Sequence, residues 1–208
     1  NQPNPDYDPN VVCMHLGAGD GFVTMADGHL QYIFSFSNLT GIKDDPATTT
    51  YDERADAGML AATFPAPTIT VDEGKEFYLS LSNVGMMMRP DLFDPHTVHW
   101  HGFPNAASVF DGVPDASISI NMGFSLTYYY NVVEPGTYMY HCHVEATEHM
   151  QMGMLGNLYV RPSQNKTGAP ASGVPIAQLG GNPDPNAPYG YVYNDGDGST
   201  AYDKEYPI

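Results

Sequence analysis

The stretch Gly136–Met154, GTYMYHCHVEATEHMQMGM, constrains this chain more than any other. It holds one cysteine between two histidines, then a third histidine, then methionines. On a strand, alternate side chains point to opposite faces. Tyr138, Tyr140 and Cys142 then share one face, while Met139, His141 and His143 share the other. A thiolate inside and imidazoles outside predict two metal sites joined by one short piece of backbone. One thiolate, two imidazoles and a weak axial methionine are the donor set of a blue-copper site, so copper is the expected metal. The rest of the chain must then supply a further inward histidine.

The segment His96-Thr-Val-His99-Trp-His101-Gly102 supplies it. Strand parity puts His99 and His101 on one face and His96 on the other. Each cluster thus offers inward ligands (His96, Cys142) and an outward H-x-H pair (His99 with His101, His141 with His143). A single histidine is more often an ordinary surface or hydrogen-bonded residue. Here five of the chain's eight histidines, or six with His149, fall into two matching patterns, which points to metal. His15 and His29 lie in no such pattern and read as structural. Met86–Met88 lacks the spaced thioethers of a copper-loading segment and reads as packing.

A chain of 208 residues can bury one full core and carry long decorations. Seven Lys+Arg against 24 Asp+Glu give a formal charge of −17, which argues strongly against a nucleic-acid partner, whose phosphates would be repelled. The same charge favours small cations nearby, although a solvated acidic surface without a partner accounts for it equally well. Two cysteines, Cys13 and Cys142, would by default form a disulfide in a secreted chain. If Cys142 binds metal, Cys13 is left as a buried thiol or an intermolecular bridge. There is neither an apolar run long enough for a membrane span nor a signal-peptide pattern at the N-terminus. The chain begins with Asn, as a processed mature protein would, and Asn38-Leu-Thr40 and Asn165-Lys-Thr167 are glycosylation sequons. The expected location is secreted, extracellular or periplasmic.

Residues 1–9 read as an N-terminal arm, 10–161 as one β domain and 162–208 as an extended arm or interdomain linker. Val11–Leu16 and Leu30–Ser37 are expected strands, and a short helix is expected around Tyr51–Ala62. Ile69 and Val71, then Phe77, Leu79 and Leu81, then Phe124, Leu126, Tyr128 and Tyr130 alternate with polar or half-polar neighbours as in half-buried strands. Gly156–Val160 supplies a last strand. Short strands between Gly/Pro/Asn turns make an all-β sandwich or barrel. No internal duplication signals a second complete domain. Past Arg161 the composition turns to Pro, Gly, Asn and Ser with little periodicity. Asn194-Asp-Gly-Asp-Gly-Ser199 has the alternating oxygens of a calcium loop but no bidentate Glu at the required spacing, so a turn is expected there.

The motifs HTVHWHG at 96–102, DGVP at 111–114 and HCHVEATEHMQMGM at 141–154 resemble the multicopper oxidase family, laccase-like and small-type members included. The resemblance covers roughly residues 65–161 and implies a cupredoxin-like Greek-key sandwich. It further implies that His96, Cys142, His149 and Met154 form a type 1 copper site. His99 would serve a type 2 copper, and His101, His141 and His143 a type 3 pair. Asp111 matches an acidic residue that assists proton delivery to oxygen; a turn-forming Asp before Gly112 would look the same. Six residues separate Cys142 from His149, two more than the family usually has, which should alter the type 1 geometry and its potential. The implied activity is one-electron oxidation of a small reducing substrate, phenol-like or a reduced metal ion, coupled to reduction of dioxygen to water.

The family's complete cluster draws on twice the four outward histidines present here. The type 2 and type 3 coppers are therefore expected at an interface, shared with an identical subunit in a homo-oligomer or with a further cupredoxin domain. The C-terminal segment YGYVYNDGDGSTAYDKEYPI resembles the connector to such a domain. A blue-copper electron carrier without oxidase activity and a copper nitrite reductase-like enzyme are the alternatives.

Overall fold

A computed structural model describes residues 8–42, 52–104, 106–169, 171 and 173–207. The arm expected at 1–9 therefore lies, apart from residues 8 and 9, outside the described residues. In chain order the elements are β1 (Val11–Thr24), β2 (Leu30–Asn38), α1 (Asp52–Gly58), β3 (Ala66–Asp72), β4 (Lys75–Gly85) and β5 (His99–His101). They continue with β6 (Ser125–Val132), β7 (Gly136–His141), α2 (Ala146–Met152), β8 (Leu155–Arg161), α3 (Gln164–Thr167), β9 (Gly190–Tyr191) and β10 (Ala201–Tyr202). Two four-stranded sheets, ordered β2-β1-β4-β6 and β3-β8-β7-β5, form the all-β, cupredoxin-like sandwich.

Period-2 patterning explains which faces meet. In β4, Phe77, Leu79 and Leu81 are buried while Tyr78, Ser80 and Ser82 between them are half-buried. The opposing sheet answers with Ile69, Val71, Trp100, Tyr140, Leu158 and Val160. Each such fully buried side chain contributes about 1.5–3 kcal/mol relative to exposure. Trp100 stacks on Tyr130 with ring centres 3.9 Å apart, tying the two sheets together beneath the histidine motif.

Strand β1 runs well past the expected Leu16, through Gly17, Gly19 and Gly21. These glycines carry no pattern signal, yet each sits where another group presses on the backbone. A Cβ at Gly21 would come within 2.5 Å of the Ala62 carbonyl oxygen, and one at Gly19 within 2.8 Å of Val84. The strand continues because the side chains are absent.

Residues 162–207, in which the sequence shows only a Pro/Gly-rich arm, carry α3 and the two-stranded β9–β10 sheet. Polar contacts rather than periodic hydrophobics dock this segment. Arg161 makes a bidentate pair with Glu205 at 2.6 and 2.7 Å and also donates to the Tyr202 hydroxyl at 2.7 Å. The expected turn at Asp195 is closed by donors from Gln164, Gly198, Ser199 and Thr200 to its carboxylate. Those bonds hold the Asp195 carboxyl well below the usual carboxylate range against the opposing effect of desolvation. With its oxygens already bonded, the loop is a turn and not an open cation site.

Two smaller expectations are corrected or narrowed. Cys13 is an exposed free thiol, not a buried one, because it faces outward on β1. Asn165 is 3% exposed and its Oδ1 accepts the Tyr191 N–H at 2.8 Å, so only the exposed Asn38 presents its sequon to solvent.

Candidate metal centre

The short strand β5 pairs antiparallel with the end of β7, setting His99 opposite His141 and Trp100 opposite Tyr140. Cys142, one residue past β7, therefore turns into the core, while His141 and His143 turn to the other side. His96, three residues before β5 and outside any strand, reaches the same interior, held by a two-way main-chain bridge to Ile120 at 3.0 and 2.9 Å.

His149 arrives by helix α2. Its Ala, Glu, Met and Gln residues are good helix formers, and Gly153 ends it at φ +121°, its N–H bonding back to His149 and Met150. Of the six intervening residues, Ala146, Thr147 and Glu148 are coiled into the first turn of α2, which shortens their reach and brings His149 back over Cys142. Met154 then clamps the site through its main chain: its N–H donates to the His149 carbonyl (2.9 Å) and its carbonyl accepts the Cys142 N–H (3.1 Å). The Met154 side chain is fully buried.

The inner cluster is compact. Cys142 Sγ lies 3.7 Å from His96 Nδ1 and 3.4 Å from His149 Nδ1, and all three residues are 0% exposed. Burial pushes the Cys142 thiol up to about 11, and burial plus the neighbouring His149 pushes His96 down to about 3. Without metal the thiol and His96 are thus neutral at pH 7, and the thiol donates to the Val144 carbonyl at 3.6 Å. His96 Nε2 has no hydrogen-bond partner among the described residues.

These donors fit a metal. With bonds of about 2.0 Å to nitrogen and about 2.3 Å to sulfur, as in zinc sites, both observed separations correspond to angles of roughly 100–120°. A bound cation would supply the charge that ionises the thiol. One thiolate and two imidazoles in a dry pocket are the donor chemistry of copper electron transfer.

The outer cluster lies on the opposite side of the same backbone. The rings of His99, His101, His141 and His143 have neighbouring centres 5.2–5.8 Å apart. His101 Nδ1 and His141 Nε2 are 3.2 Å apart. His99, His101 and His141 can each bring one ligand atom within 4.8 Å of the others. Main-chain carbonyls fix two tautomers. His99 Nδ1 donates to the Asp111 carbonyl at 2.6 Å and His141 Nδ1 to the Cys142 carbonyl at 2.9 Å, so each Nε2 carries the lone pair a metal would take, that of His141 facing His101 Nδ1 in the metal-free chain. Burial pushes His141 downward, toward the neutral form. His101 is exposed and His99 and His143 half-buried, so the cluster opens onto the surface.

The DGVP turn explains the place of Asp111. Gly112 sits at φ +75°, and a Cβ there would run into the Val98 carbonyl oxygen. With no Cβ at Gly112 the turn lies close against Val98 and His99, its Asp111 carbonyl 2.6 Å from His99 Nδ1 and its Asp111 carboxylate 3.5 Å from the same nitrogen.

Two participants escaped the sequence reading. Thr97 donates its N–H to Cys142 Sγ at 3.5 Å and accepts the His143 N–H on Oγ1 at 3.1 Å, so it touches both clusters. Its place between His96 and His99 was the available signal. Asp94 puts Oδ2 3.7 Å from His149 Nε2, a contact made only by the fold.

Comparisons with known proteins place most of the β domain in a family. The family model for multicopper oxidases matches residues 42–165, more than half of the chain. Multicopper oxidase MCE of Talaromyces pinophilus is 32% identical over 126 residues, covering 57% of this chain and 19% of that protein. Multicopper oxidase MmcO of Mycobacterium tuberculosis is 38% identical over 82 residues, 39% of this chain and 15% of that protein. The blue copper oxidase structure from Nitrosomonas europaea superposes with TM-score 0.52 at 28% identity, covering 74% of this chain and 39% of that chain. The matches thus span less than a fifth of these two curated relatives' length.

Proposed function

The chain belongs to the multicopper oxidase family, and from that premise we propose that it carries a complete type 1 copper site and half of a trinuclear copper cluster. His96, Cys142, His149 and Met154 would hold the type 1 copper. His99 would hold the type 2 copper, and His101, His141 and His143 the type 3 pair, with the missing ligands coming from a second copy or a further cupredoxin domain. When bound, copper supplies one-electron acceptance from a small donor, phenol-like or a reduced metal ion, and reduction of dioxygen to water. Within the proposed cupredoxin domain of residues 10–161, the observation that carries this reading is the placement of two donor sets on either side of one strand end.

The chain's own residues then have separate tasks. The His141-Cys142-His143 backbone is a covalent path of a few bonds between the two donor sets. Burial of Cys142, His96 and His149 excludes water from the inner site. The Asp111 carbonyl fixes the ring orientation of His99, and its part-exposed carboxylate is placed to pass protons from solvent to the outer cluster. Such relays contribute typically 10²–10⁴-fold, on the order of 3–5 kcal/mol of barrier. Secretion to an extracellular or periplasmic space accords with this chemistry.

An electron carrier is the second reading, favoured by the outer cluster's having only four histidines in this chain. Oxygen uptake by copper-loaded oligomer with a phenolic dye or ferrous iron separates the two. Uptake supports the oxidase; no uptake with any donor leaves the carrier. Cys142→Ser should remove the intense visible absorption, and a surviving band would refute the type 1 assignment.

A further inference from the structure

Both imidazoles of the inner site are 0% exposed, so an outside donor cannot touch a ligand edge. A file of rings nevertheless leads from the site to the surface. Phe34 packs on His149 with centres 6.2 Å apart, Tyr32 on Phe34 at 5.6 Å, and Phe22 on Tyr32 at 5.4 Å. Phe22 is 44% exposed. The file is built by register: Tyr32 and Phe34 point to the same side of β2, while Asp20 and Phe22 stand opposite Phe34 and Tyr32 on β1. It is pinned to the ligand loop where Ser35 Oγ donates to the Gly153 carbonyl at 2.7 Å.

Within this file Tyr32 is the one ring that can lose an electron readily, provided its proton has somewhere to go. The hydroxyl donates to Asp20 Oδ2 at 2.8 Å. Asp20 is 0% exposed, its Oδ2 also accepts the Met88 N–H at 2.8 Å, and its Oδ1 has no hydrogen-bond partner among the described residues. A buried carboxyl group with an unsatisfied oxygen is costly to keep.

We propose that Tyr32, with Asp20 as its proton acceptor and Phe34 as its contact to His149, is where electrons from an outside donor enter the buried Cys142 site. The proposal rests on the copper reading of that site. In the forward step Tyr32 passes one electron toward His149 and its phenolic proton to Asp20, so the tyrosine O–H bond breaks and a carboxyl O–H bond forms. A one-electron reductant such as a hydroquinone then returns an electron to the phenoxyl oxygen as Asp20 returns the proton. Net, one electron passes from the donor to the Cys142 site, where a bound copper would accept it, and Tyr32 and Asp20 are restored.

The test is stopped-flow bleaching of the visible band of the copper-loaded protein by hydroquinone. Tyr32→Phe, which removes only the hydroxyl, should keep band and copper content but bleach at least about tenfold more slowly. The wild-type rate should fall in heavy water and the variant's should not. In copper-free protein, photo-oxidation with a spin trap should place an adduct on Tyr32. Bleaching of Tyr32→Phe at the wild-type rate, slowing by Asp94→Asn instead, or no adduct on Tyr32 would each overturn the entry route. A wild-type protein that loads copper without a visible band would instead refute the copper reading itself, and the proposal with it.

Discussion

Replacing Gly112 by Ala tests the link between fold and metal centre. Gly112 lies at φ +75°, where an L-residue pays about 1–2 kcal/mol, partly offset by about 0.4–1 kcal/mol from a stiffer unfolded chain. Gly74, at φ +83° with nothing within 4 Å of a built Cβ, pays only that conformational cost. At Gly112 the new Cβ would also lie 2.5 Å from the Val98 carbonyl carbon and 2.8 Å from the His99 nitrogen. Main chain cannot swing aside as a flexible side chain can, so the turn must lift, at a further cost of about 1–3 kcal/mol. Gly112→Ala should therefore melt about 2–12 °C below Gly74→Ala, at about 2–4 °C per kcal/mol for a chain of this size. Lifting the turn also withdraws the Asp111 carbonyl from His99 Nδ1, so Gly112→Ala should lose copper from the outer cluster before the inner one. Thermal unfolding of both metal-free variants, followed by copper titration, reads the two effects. Equal melting temperatures would refute the close-approach argument.

Further outcomes follow from individual contacts. Asp111→Asn should retain its copper, because His99 is held by the main-chain carbonyl, yet reduce oxygen uptake by at least about tenfold; copper loss would show that the carboxylate is structural. Because the folded His96 lies at about 3, below its unfolded value of 6.5, the unfolded state binds the extra proton between those limits. Metal-free stability should thus be full above pH 6.5 and fall as pH drops toward 3, by up to about 1.4 kcal/mol per pH unit from this group. His96→Gln should flatten that limb in urea melts by one proton. Glu205→Gln breaks the half-buried pair with Arg161 and should loosen residues 162–207 by about 1–2 kcal/mol, seen as roughly 5–30-fold faster proteolysis there.

Much of the centre was legible because strand parity is a strong rule. The alternation across Tyr138–His143 and His96–His101 separates inner from outer donors before any fold is known. The glycine-rich half of β1 was not legible, since Gly17, Gly19 and Gly21 are defined by the neighbours they admit. The position of His149 depended on α2, which coils the last three of the six residues after Cys142 into its first turn, and spacing alone does not reveal that. The Asp94–His149 contact joins a loop to α2, and the Tyr32–Asp20 pair forms across the β1–β2 pairing, so neither shows as a spacing in the sequence. Residues 162–207 escaped because side-chain-to-main-chain bonds, such as those to Asp195, leave no hydrophobic period.

The central claim is that one donor set is complete within the chain and the other is completed by a partner. Native mass with copper counting on the reconstituted protein tests it most directly. The account predicts one type 1 copper per isolated chain, with additional copper and type 2 and type 3 signals only in species that join two cupredoxin units. A multimer holding one type 1 copper per chain and nothing more, or a lone monomer that holds the full cluster, would contradict it.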